Sequence, residues 1–206
     1  MELVRPLFLA SVGWVAVAIG FGGGLAQFRR VRQRGNDGVS LGTWMMFFLI
    51  GGYWITYGLV AAHSLVIVMG SLLVWPLQVS IVLGLQPWRR LRVVLGAVGF
   101  LTLFCIVPGV IGGWSASLVG CGLAMALIRF PQIVHLIRSP QVSGVSVSSW
   151  LLGASNSILW ITYYVVSHRT SALVATALAL GGNLAVSGLT LWRQHSEWRP
   201  GFALSD

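Results

Sequence analysis

Long apolar windows are the feature that most limits what this chain can fold into. A helix needs about 20 predominantly apolar residues to cross a bilayer. Windows of that length lie at roughly 7–26, 43–62, 65–85, 93–112, 115–135, 148–166 and 171–191. With 56% hydrophobic and only 8% charged residues, a soluble domain of 206 residues is excluded. The connections are short, so we predict an all-α integral membrane protein of seven transmembrane helices in one compact bundle.

Arginine placement predicts the orientation, because basic residues concentrate in cytoplasmic loops. All thirteen basic residues are arginine, and an outside N-terminus leaves only Arg5 and Arg169 outside. The inside loops and tail then hold Arg29, Arg30, Arg32, Arg34, Arg89, Arg90, Arg92, Arg129, Arg138, Arg193 and Arg199. We therefore expect a multi-pass protein of the cell (plasma or inner) membrane with a cytoplasmic C-terminus. The net charge of +9 indicates this topology and attraction to anionic lipid, and no nucleic-acid partner is expected.

Two segments of the sequence repeat each other at an offset of 106 residues. Gly38 to Gly58 reads GVSLGTWMMFFLIGGYWITYG and Gly144 to Tyr164 reads GVSVSSWLLGASNSILWITYY, which gives eight identities in 21 positions. The identities cluster as Gly-Val-Ser with a following Trp and as Trp-Ile-Thr-Tyr, whereas apolar composition alone would match scattered Leu or Val. Upstream, AQFRRV from Ala26 lies over PQIVHL from Pro131. The pattern indicates a duplicated unit of helix, basic loop, helix, short turn and helix.

Both copies of this unit are expected to point the same way across the membrane. A three-helix unit reverses direction, so one extra crossing must separate two parallel copies, and the window near 93–112 supplies it. We therefore expect a 3+1+3 plan. Its parts are residues 1–91 (first triple-helix repeat), 92–113 (linker helix), 114–193 (second repeat) and 194–206 (cytoplasmic tail). Parallel repeats of this kind occur in transporters, with the substrate path between the units near the midplane.

Together these features resemble the SWEET (MtN3/saliva) family of the PQ-loop superfamily. The residues concerned are the duplicated Pro-Gln loop, the Gly-Val-Ser that follows it, and the Trp-x-x-Tyr of the next helix. The resemblance covers nearly the whole chain. The resemblance implies triple-helix bundles packed in the order 1-3-2. It also implies passive, bidirectional uniport of a small neutral solute by alternating access, with a mono- or disaccharide favoured.

The loop motif differs between the two repeats. Pro131 and Gln132 match the family's Pro-Gln, whereas repeat one has Ala26 and Gln27. A proline removes a backbone donor and clashes with the preceding turn, so it kinks or hinges a helix. We expect Pro131 to be the hinge of an inner gate, with Gln132 and Gln27 as further gate candidates. In repeat one, glycines 22–24 either supply flexibility or permit close helix approach, and both interpretations stay open.

Aromatic residues of the second helix in each repeat are candidates for substrate binding. Trp54 and Trp160 match a family tryptophan that faces the pocket, and Asn156, Trp160 and Tyr163 share one helical face. Apolar rings beside hydrogen-bonding groups suit a neutral hydroxylated solute. Trp and Tyr near helix ends also form interfacial belts. We favour the pocket for the two tryptophans and the belt for Tyr57 and Tyr163.

The family's other sugar-contacting position is an asparagine in the third helix of each repeat. Asn183 is the only candidate here, and it lies about two turns further from Trp160 than the family spacing implies. The equivalent region of repeat one reads VWPLQ, with Pro76 and Gln78. At the expected spacing the chain has Ser71 and Thr176 or Ala177, of which Ser71 and Thr176 are further substrate candidates. A buried intramembrane asparagine is costly unless bonded, so Asn183 is either a clamp between helices or a pathway residue.

Coupling to protons is disfavoured by the positions of the acidic residues. Glu2, Asp37, Glu197 and Asp206 all lie in tails or a loop, so no carboxylate is expected within a span. His135 follows Gln132 by one turn and is a candidate for gating or coupling, with an ordinary interfacial histidine as the alternative. The histidines have no metal-ligand spacing, so no metal is expected. Cys105 and Cys121 fit small buried hydrophobes.

Other functional classes fit the sequence less well. A retinal photoreceptor needs a lysine, and the chain has none. No catalytic motif appears, so neither an enzyme nor a cofactor is expected. A PQ-loop receptor or sorting protein would bind a peptide through charged pocket residues, which the sequence does not predict deep in the spans. That receptor and a PQ-loop amino-acid or metabolite carrier are the alternatives, with a small solute and the lipid bilayer as expected partners and a homo-oligomer left open.

Overall fold

The computed structural model describes residues 4–166 and 170–197, which are helical almost throughout. The helices are α1 (Val4–Arg34), α2 (Leu41–Val60), α3 (Leu65–Leu72), α4 (Trp75–Gly84), α5 (Leu91–Leu101), α6 (Val107–Leu127), α7 (Phe130–Arg138), α8 (Val147–Val166) and α9 (Thr170–Glu197). A 3-10 turn precedes α5 at Pro87–Arg89, and a π-helical turn at Thr102–Ile106 joins α5 to α6. No strand occurs in these two described ranges, so the predicted all-α class is confirmed.

Four helical stretches of the described residues are long and apolar enough to cross a membrane. They are Leu7–Arg34, Leu41–Val60, Leu65–Gly84 and Leu91–Arg138, and only 11% to 33% of each apolar window is buried inside the protein. Large apolar side chains therefore point outward, as Val110 does with 83% of its surface exposed. Soluble proteins rarely expose so much contiguous apolar surface. The fold is consistent with a membrane protein.

Breaks in the longest stretch occur at glycine and proline. Gly112 and Gly113 interrupt α6, and Gly113 adopts φ +67 and ψ −163, a conformation that is essentially restricted to glycine. This break coincides with the predicted junction between linker and second repeat. A second break separates α6 from α7 just before Pro131, whereas α1 runs without interruption past Ala26. The difference between Pro131 and Ala26 in the sequence therefore has a structural counterpart.

Helix packing follows the same pairing in the two halves of the chain. In the first half, α3 and α4 pack against both α1 and α2. In the second half, α9 packs against α8 and also against α6 and α7. Between the halves, α1 packs along α8, and α2 contacts α7 and α5. Each half thus places its third helical segment in contact with the other two.

The glycines of α1 allow other helices to approach closely. A Cβ atom on Gly23 would lie 3.3 Å from the Ser149 carbonyl oxygen of α8, and one on Gly24 would lie 2.9 Å from Cγ1 of Val74. Helix α1 continues through both positions. Of the two interpretations left open for glycines 22–24, the structure supports close packing.

The ends of α1, α7 and α9 meet residues 139–146 at one end of the molecule, which we call the arginine-rich end. The Nε of Arg30 donates to the Ser143 carbonyl at 2.7 Å, and Arg193 donates to the carbonyls of Leu136 and Ser139, each at 2.6 Å. Helix α9 continues beyond the predicted repeat boundary at residue 193. Gln194, which the sequence assigned to the tail, donates to the Val145 carbonyl at 2.9 Å and belongs to this packed end. Residues 198–206 of the predicted tail lie outside the described residues.

Loop 1 (residues 35–40) and loop 2 (residues 139–146) pack back to back at this end. The Gly144 amide donates to the Asp37 carbonyl at 3.0 Å. A Cβ on Gly144 would collide with the Gly35 carbonyl oxygen, and one on Gly38 would lie 2.7 Å from the Val142 Cα. The paired glycines of the repeated Gly-Val-Ser motif are therefore required by the contact between the loops.

Replacing Gly144 by alanine tests this contact. The added methyl meets backbone, which cannot move aside cheaply, so we expect Gly144→Ala to lower the unfolding free energy by about 1–3 kcal/mol. The matched control is Gly188→Ala in α9, where nothing lies within 4 Å of the added atom and where alanine favours the helix. The measurement is the thermal unfolding midpoint of both variants in detergent. Equal midpoints for the two would contradict the back-to-back packing.

Candidate functional site

A buried glutamine of the second repeat binds the loop of the first repeat. Gln132 is almost fully buried near the start of α7. Its Nε2 donates to the Gly38 carbonyl at 2.7 Å, and its Oε1 accepts from the Ser40 amide at 2.9 Å. One amide side chain thus satisfies a donor and an acceptor of loop 1, 92 and 94 residues away in sequence.

The first repeat returns the same interaction. Gln27 of α1 is fully buried, donates through Nε2 to the Gly144 carbonyl at 2.9 Å, and accepts from the Ser146 amide at 2.9 Å. Gly144 and Ser146 are the repeat counterparts of Gly38 and Ser40. We call these four hydrogen bonds the glutamine clamp. Each repeat is held closed at this end by a side chain of the other.

The repeated serine explains why a glutamine is needed. The hydroxyl of Ser40 accepts from the Thr43 amide at 3.3 Å, and that of Ser146 accepts from the Ser149 amide at 3.1 Å. Both serines therefore cap the following helix with the side chain, which leaves the backbone amide to be paired elsewhere. Only a primary amide side chain offers a donor and an acceptor in one fork. The Gln and Gly-Val-Ser motifs form one interaction, seen twice.

One large cavity of about 670 Å³ lies between the two repeats. Its lining extends from Leu9 and Ser64, at the end opposite the arginine-rich loops, to Arg129 and Asn183 deep in the protein. Among the described residues, no member of loop 1 or loop 2 lines it. The cavity therefore ends before the glutamine clamp. Its volume is within the range of small-molecule sites.

All six substrate-binding candidates from the sequence line this cavity. They are Trp54, Ser71, Asn156, Trp160, Thr176 and Asn183. Tyr57 and Tyr163, which the sequence assigned to an interfacial belt, line it as well. Each tryptophan meets a neighbouring tyrosine edge-on, with ring centroids 5.7 Å apart for Trp54 and Tyr57 and 5.4 Å apart for Trp160 and Tyr163. The two repeats thus supply matching aromatic walls.

The remaining gate candidates lie outside this cavity. Pro131 stands in the first turn of α7, next to the break between α6 and α7. His135 lines a separate cavity of about 380 Å³ at the arginine-rich end, together with Asp37 and Arg90. The structure therefore places Gln27 and Gln132 in the clamp, each bound to the loop of the opposite repeat. His135 lies at the same end of the molecule, away from the aromatic walls.

Arg129 is a site residue that the sequence analysis missed. It was counted among the arginines of the cytoplasmic loops, and the structure contradicts this, because only 5% of its surface is exposed and it lines the main cavity. Its Nε donates to Oδ1 of Asn183 at 2.7 Å, and its Nη1 donates to the Met125 carbonyl. Its Cζ lies 5.7 Å from the ring centre of Phe47. The available signal was its position within the window predicted at 115–135.

Asn183 both joins helices and lies on the cavity wall, so its position is consistent with each of the two interpretations that the sequence left open. Its Nδ2 donates to the Ser157 hydroxyl of α8 at 3.2 Å while its Oδ1 accepts from Arg129, so it joins α9 to both neighbours. It also lines the cavity. Gln78, from the region of repeat one that the sequence makes equivalent to that of Asn183, also lines the cavity, and its buried Oε1 has no hydrogen-bond partner in the structure.

Comparison with family models, with curated proteins and with solved structures finds no match to this chain. The link to a family therefore rests on the resemblance carried by the repeated motifs.

Hydrogen exchange of single amides tests the glutamine clamp. Removing one glutamine leaves a buried carbonyl and a buried amide unpaired, which costs about 1–3 kcal/mol for each group. We expect Gln132→Leu to speed exchange at Ser40 and Gln27→Leu to speed exchange at Ser146, at least tenfold in each case. The effect is crossed, since each substitution acts first on the opposite repeat.

The matched control is Gln33→Leu, which changes an exposed glutamine of α1. Exchange at Ser40 and Ser146 is expected to stay at the parent rate in this variant. Acceleration that stays within the substituted repeat would show that the glutamines do not bind across the interface.

Proposed function

We propose that the protein is a passive transporter that moves a small hydroxylated solute across the membrane by alternating access. The observation that carries this proposal is a solute-sized cavity between two similar halves, walled by aromatic rings and closed at one end by the glutamine clamp. A sugar is the favoured substrate class, because apolar rings stack on C–H faces while neighbouring amides pair with hydroxyls. The resemblance to the SWEET family supports the same conclusion.

The proposal includes the 3+1+3 architecture of seven transmembrane helices. The three segments of repeat one are α1, α2 and the α3–α4 stretch, and those of repeat two are residues 114–138, α8 and α9. The linker is the stretch from Leu91 to the break at Gly112. In each repeat the third segment contacts the other two, which supports bundles packed in the order 1-3-2.

The orientation follows from charge. Arginine-rich loops favour the cytoplasmic side, so the clamp would close the cytoplasmic end and the cavity would face outward. In this view the structure is one state of the transport cycle. The other state requires the clamp to open and the opposite end of the cavity to close.

The strength of the clamp suits such a cycle. A buried hydrogen bond contributes about 0.5–1.5 kcal/mol net, so four of them contribute about 2–6 kcal/mol. Two conformations separated by a few kcal/mol interconvert readily and shift with bound ligand. Water entering the opened end would replace the lost partners of both loops. The two glutamines are related by the repeat, so we expect both halves of the clamp to open together.

A receptor or sorting protein of the PQ-loop type is the second candidate. The sequence argued against it because no charge was expected deep in the spans, and Arg129 in the cavity removes that objection. An amino-acid or metabolite carrier is the other alternative within transporters. A carrier moves solute across the membrane, whereas a receptor binds its ligand without flux.

Counterflow in liposomes tests the proposed transport. Reconstituted protein is assayed with labelled glucose, sucrose and neutral amino acids, and we expect flux that does not need a pH gradient. Trp160→Ala removes an aromatic wall and is expected to reduce that flux at least tenfold. The matched control is Trp192→Ala, since Trp192 is 65% exposed on α9. Saturable binding of peptides without flux of any solute would favour the receptor, and flux that requires a proton gradient would rule out uniport.

The hinge at Pro131 is tested separately. Helix α7 begins at a break next to this proline, whereas α1 is continuous past Ala26. We expect Pro131→Ala to restore a continuous helix and to slow solute exchange across the liposome membrane several-fold at equal protein content. Ala26→Ser, the matched change in repeat one, is expected to leave the rate of solute exchange within twofold of the parent rate. Equal rates for parent and Pro131→Ala would remove the hinge from the mechanism.

A further inference from the structure

We infer that the solute of the central cavity carries an anionic group, a carboxylate or a phosphate, and that Arg129 and Asn183 bind it. This inference rests on the proposed function, since it names the substrate class of the same cavity. It replaces the expectation of a neutral sugar by a sugar-like acid, in which hydroxyls face the aromatic walls and the acid faces the arginine.

The charge of Arg129 has no counter-charge among the described residues. Its partners are the Asn183 amide oxygen, the Met125 carbonyl and the Phe47 ring, all of them neutral. A buried cation without an anion is costly, and within a membrane such a residue marks a functional site. Asp37 does not offset this charge, because it lines the separate small cavity. An anionic solute would supply the missing charge.

The fold itself does not require a cation at this position. The glutamines of the clamp correspond at an offset of 105 residues, and the same offset pairs Arg129 with Gly24, three residues before each glutamine. The first repeat forms its half of the clamp with a glycine where the second has the arginine. Closing the arginine-rich end therefore does not depend on the guanidinium. The position of Arg129 in the cavity is therefore not explained by closure of that end.

The guanidinium retains donors for a solute. A guanidinium has five N–H groups. Two of them are used, one at Nε and one at Nη1, and Nη2 has no hydrogen bond within the described residues. Asn183 fixes the plane of this fork, so the remaining donors are held ready for carboxylate or phosphate oxygens. Further along the cavity, Asn156 lines the wall, and its buried Oδ1 has no partner among the described residues.

Binding of this kind has an electrical consequence. Arg129 stays with the protein while the solute crosses, so each transport event moves the negative charge of the solute. One elementary charge in a potential of 100 mV corresponds to an equilibrium ratio of about 50-fold. A neutral sugar would be unaffected by the potential. Voltage dependence therefore reports the charge of the solute independently of which residue binds it.

The test compares matched solutes on reconstituted full-length protein. Counterflow is measured with glucose, glucuronate and glucose 6-phosphate, which share a ring and differ in the anionic group. We expect one of the two acids to be carried at least tenfold faster than glucose, and the comparison between them identifies carboxylate or phosphate. Net uptake into vesicles that hold no unlabelled solute is measured separately, and there a potassium diffusion potential, positive on the trans side, is expected to increase accumulation of that acid and leave glucose unchanged.

Substitutions of Arg129 test whether this residue causes the preference for the acid over glucose. Arg129→Gln is expected to reduce flux of the preferred acid at least tenfold, and Arg129→Lys to retain part of the acid flux. The matched control is Arg138→Gln, an exposed arginine at the end of α7, with parent behaviour expected. Because Arg129→Gln could misfold, a second measurement uses only the parent protein. For the parent protein, the preferred acid at millimolar concentration is expected to raise the thermal unfolding midpoint, and glucose is not.

The possible failures can be told apart. Faster flux of glucose than of both acids, unchanged in Arg129→Gln, would overturn the anion site and leave transport standing. Saturable stabilisation by an acid without flux would support the anion site and overturn the transport function. Acid flux that ignores the potential would overturn uniport of the charged solute alone. No flux and no stabilisation by either acid would overturn the anion site.

Discussion

The reciprocal hydrogen bonds of Gln27 and Gln132 are the interaction on which the rest of the structure depends. Backbone groups at the start of a helix have no partner within that helix, and in a water-poor environment they must find one elsewhere. Here the cap comes from the local serine, while the remaining amide and carbonyl of each loop are paired by the glutamine of the opposite repeat. Neither repeat can complete its own loop. The two halves are consequently closed together at this end, and the cavity ends before the clamp.

Within this symmetric frame the two halves carry different chemistry. The aromatic walls of Trp54 and Trp160 are repeated, but the deep end of the cavity has a guanidinium on one side and a glycine on the other. The helix break near Pro131 likewise has no counterpart in α1. The second half alone thus carries a cation at the cavity and a helix break beside a proline. A charge in an apolar surrounding interacts strongly with other charges, because the surrounding screens it little.

Local patterns in the sequence predicted those parts of the site that depend on helix periodicity alone. Asn156 and Trp160 were placed on one face because residues four apart share a face of any α-helix, and both line the cavity. Tyr57 and Arg129 were assigned to the membrane surface or a loop because they lie near the ends of their windows. Hydropathy locates a window only to within several residues, and tertiary packing decides how far protein extends beyond it. Residues near the ends of windows are where sequence reasoning was least reliable.

The sequence by itself determined the helical class, the duplicated unit and the chemical identity of each clamping group, because these follow from hydropathy, spacing and side-chain chemistry along the chain. It did not determine which groups meet. Gln27 finds its partners 117 and 119 residues away, and Arg129 finds Asn183 54 residues away. Such pairs form only when the helices have packed, since no local geometry brings them together. The tertiary structure alone decided that each glutamine closes the other repeat and that one arginine faces the cavity rather than the cytoplasm.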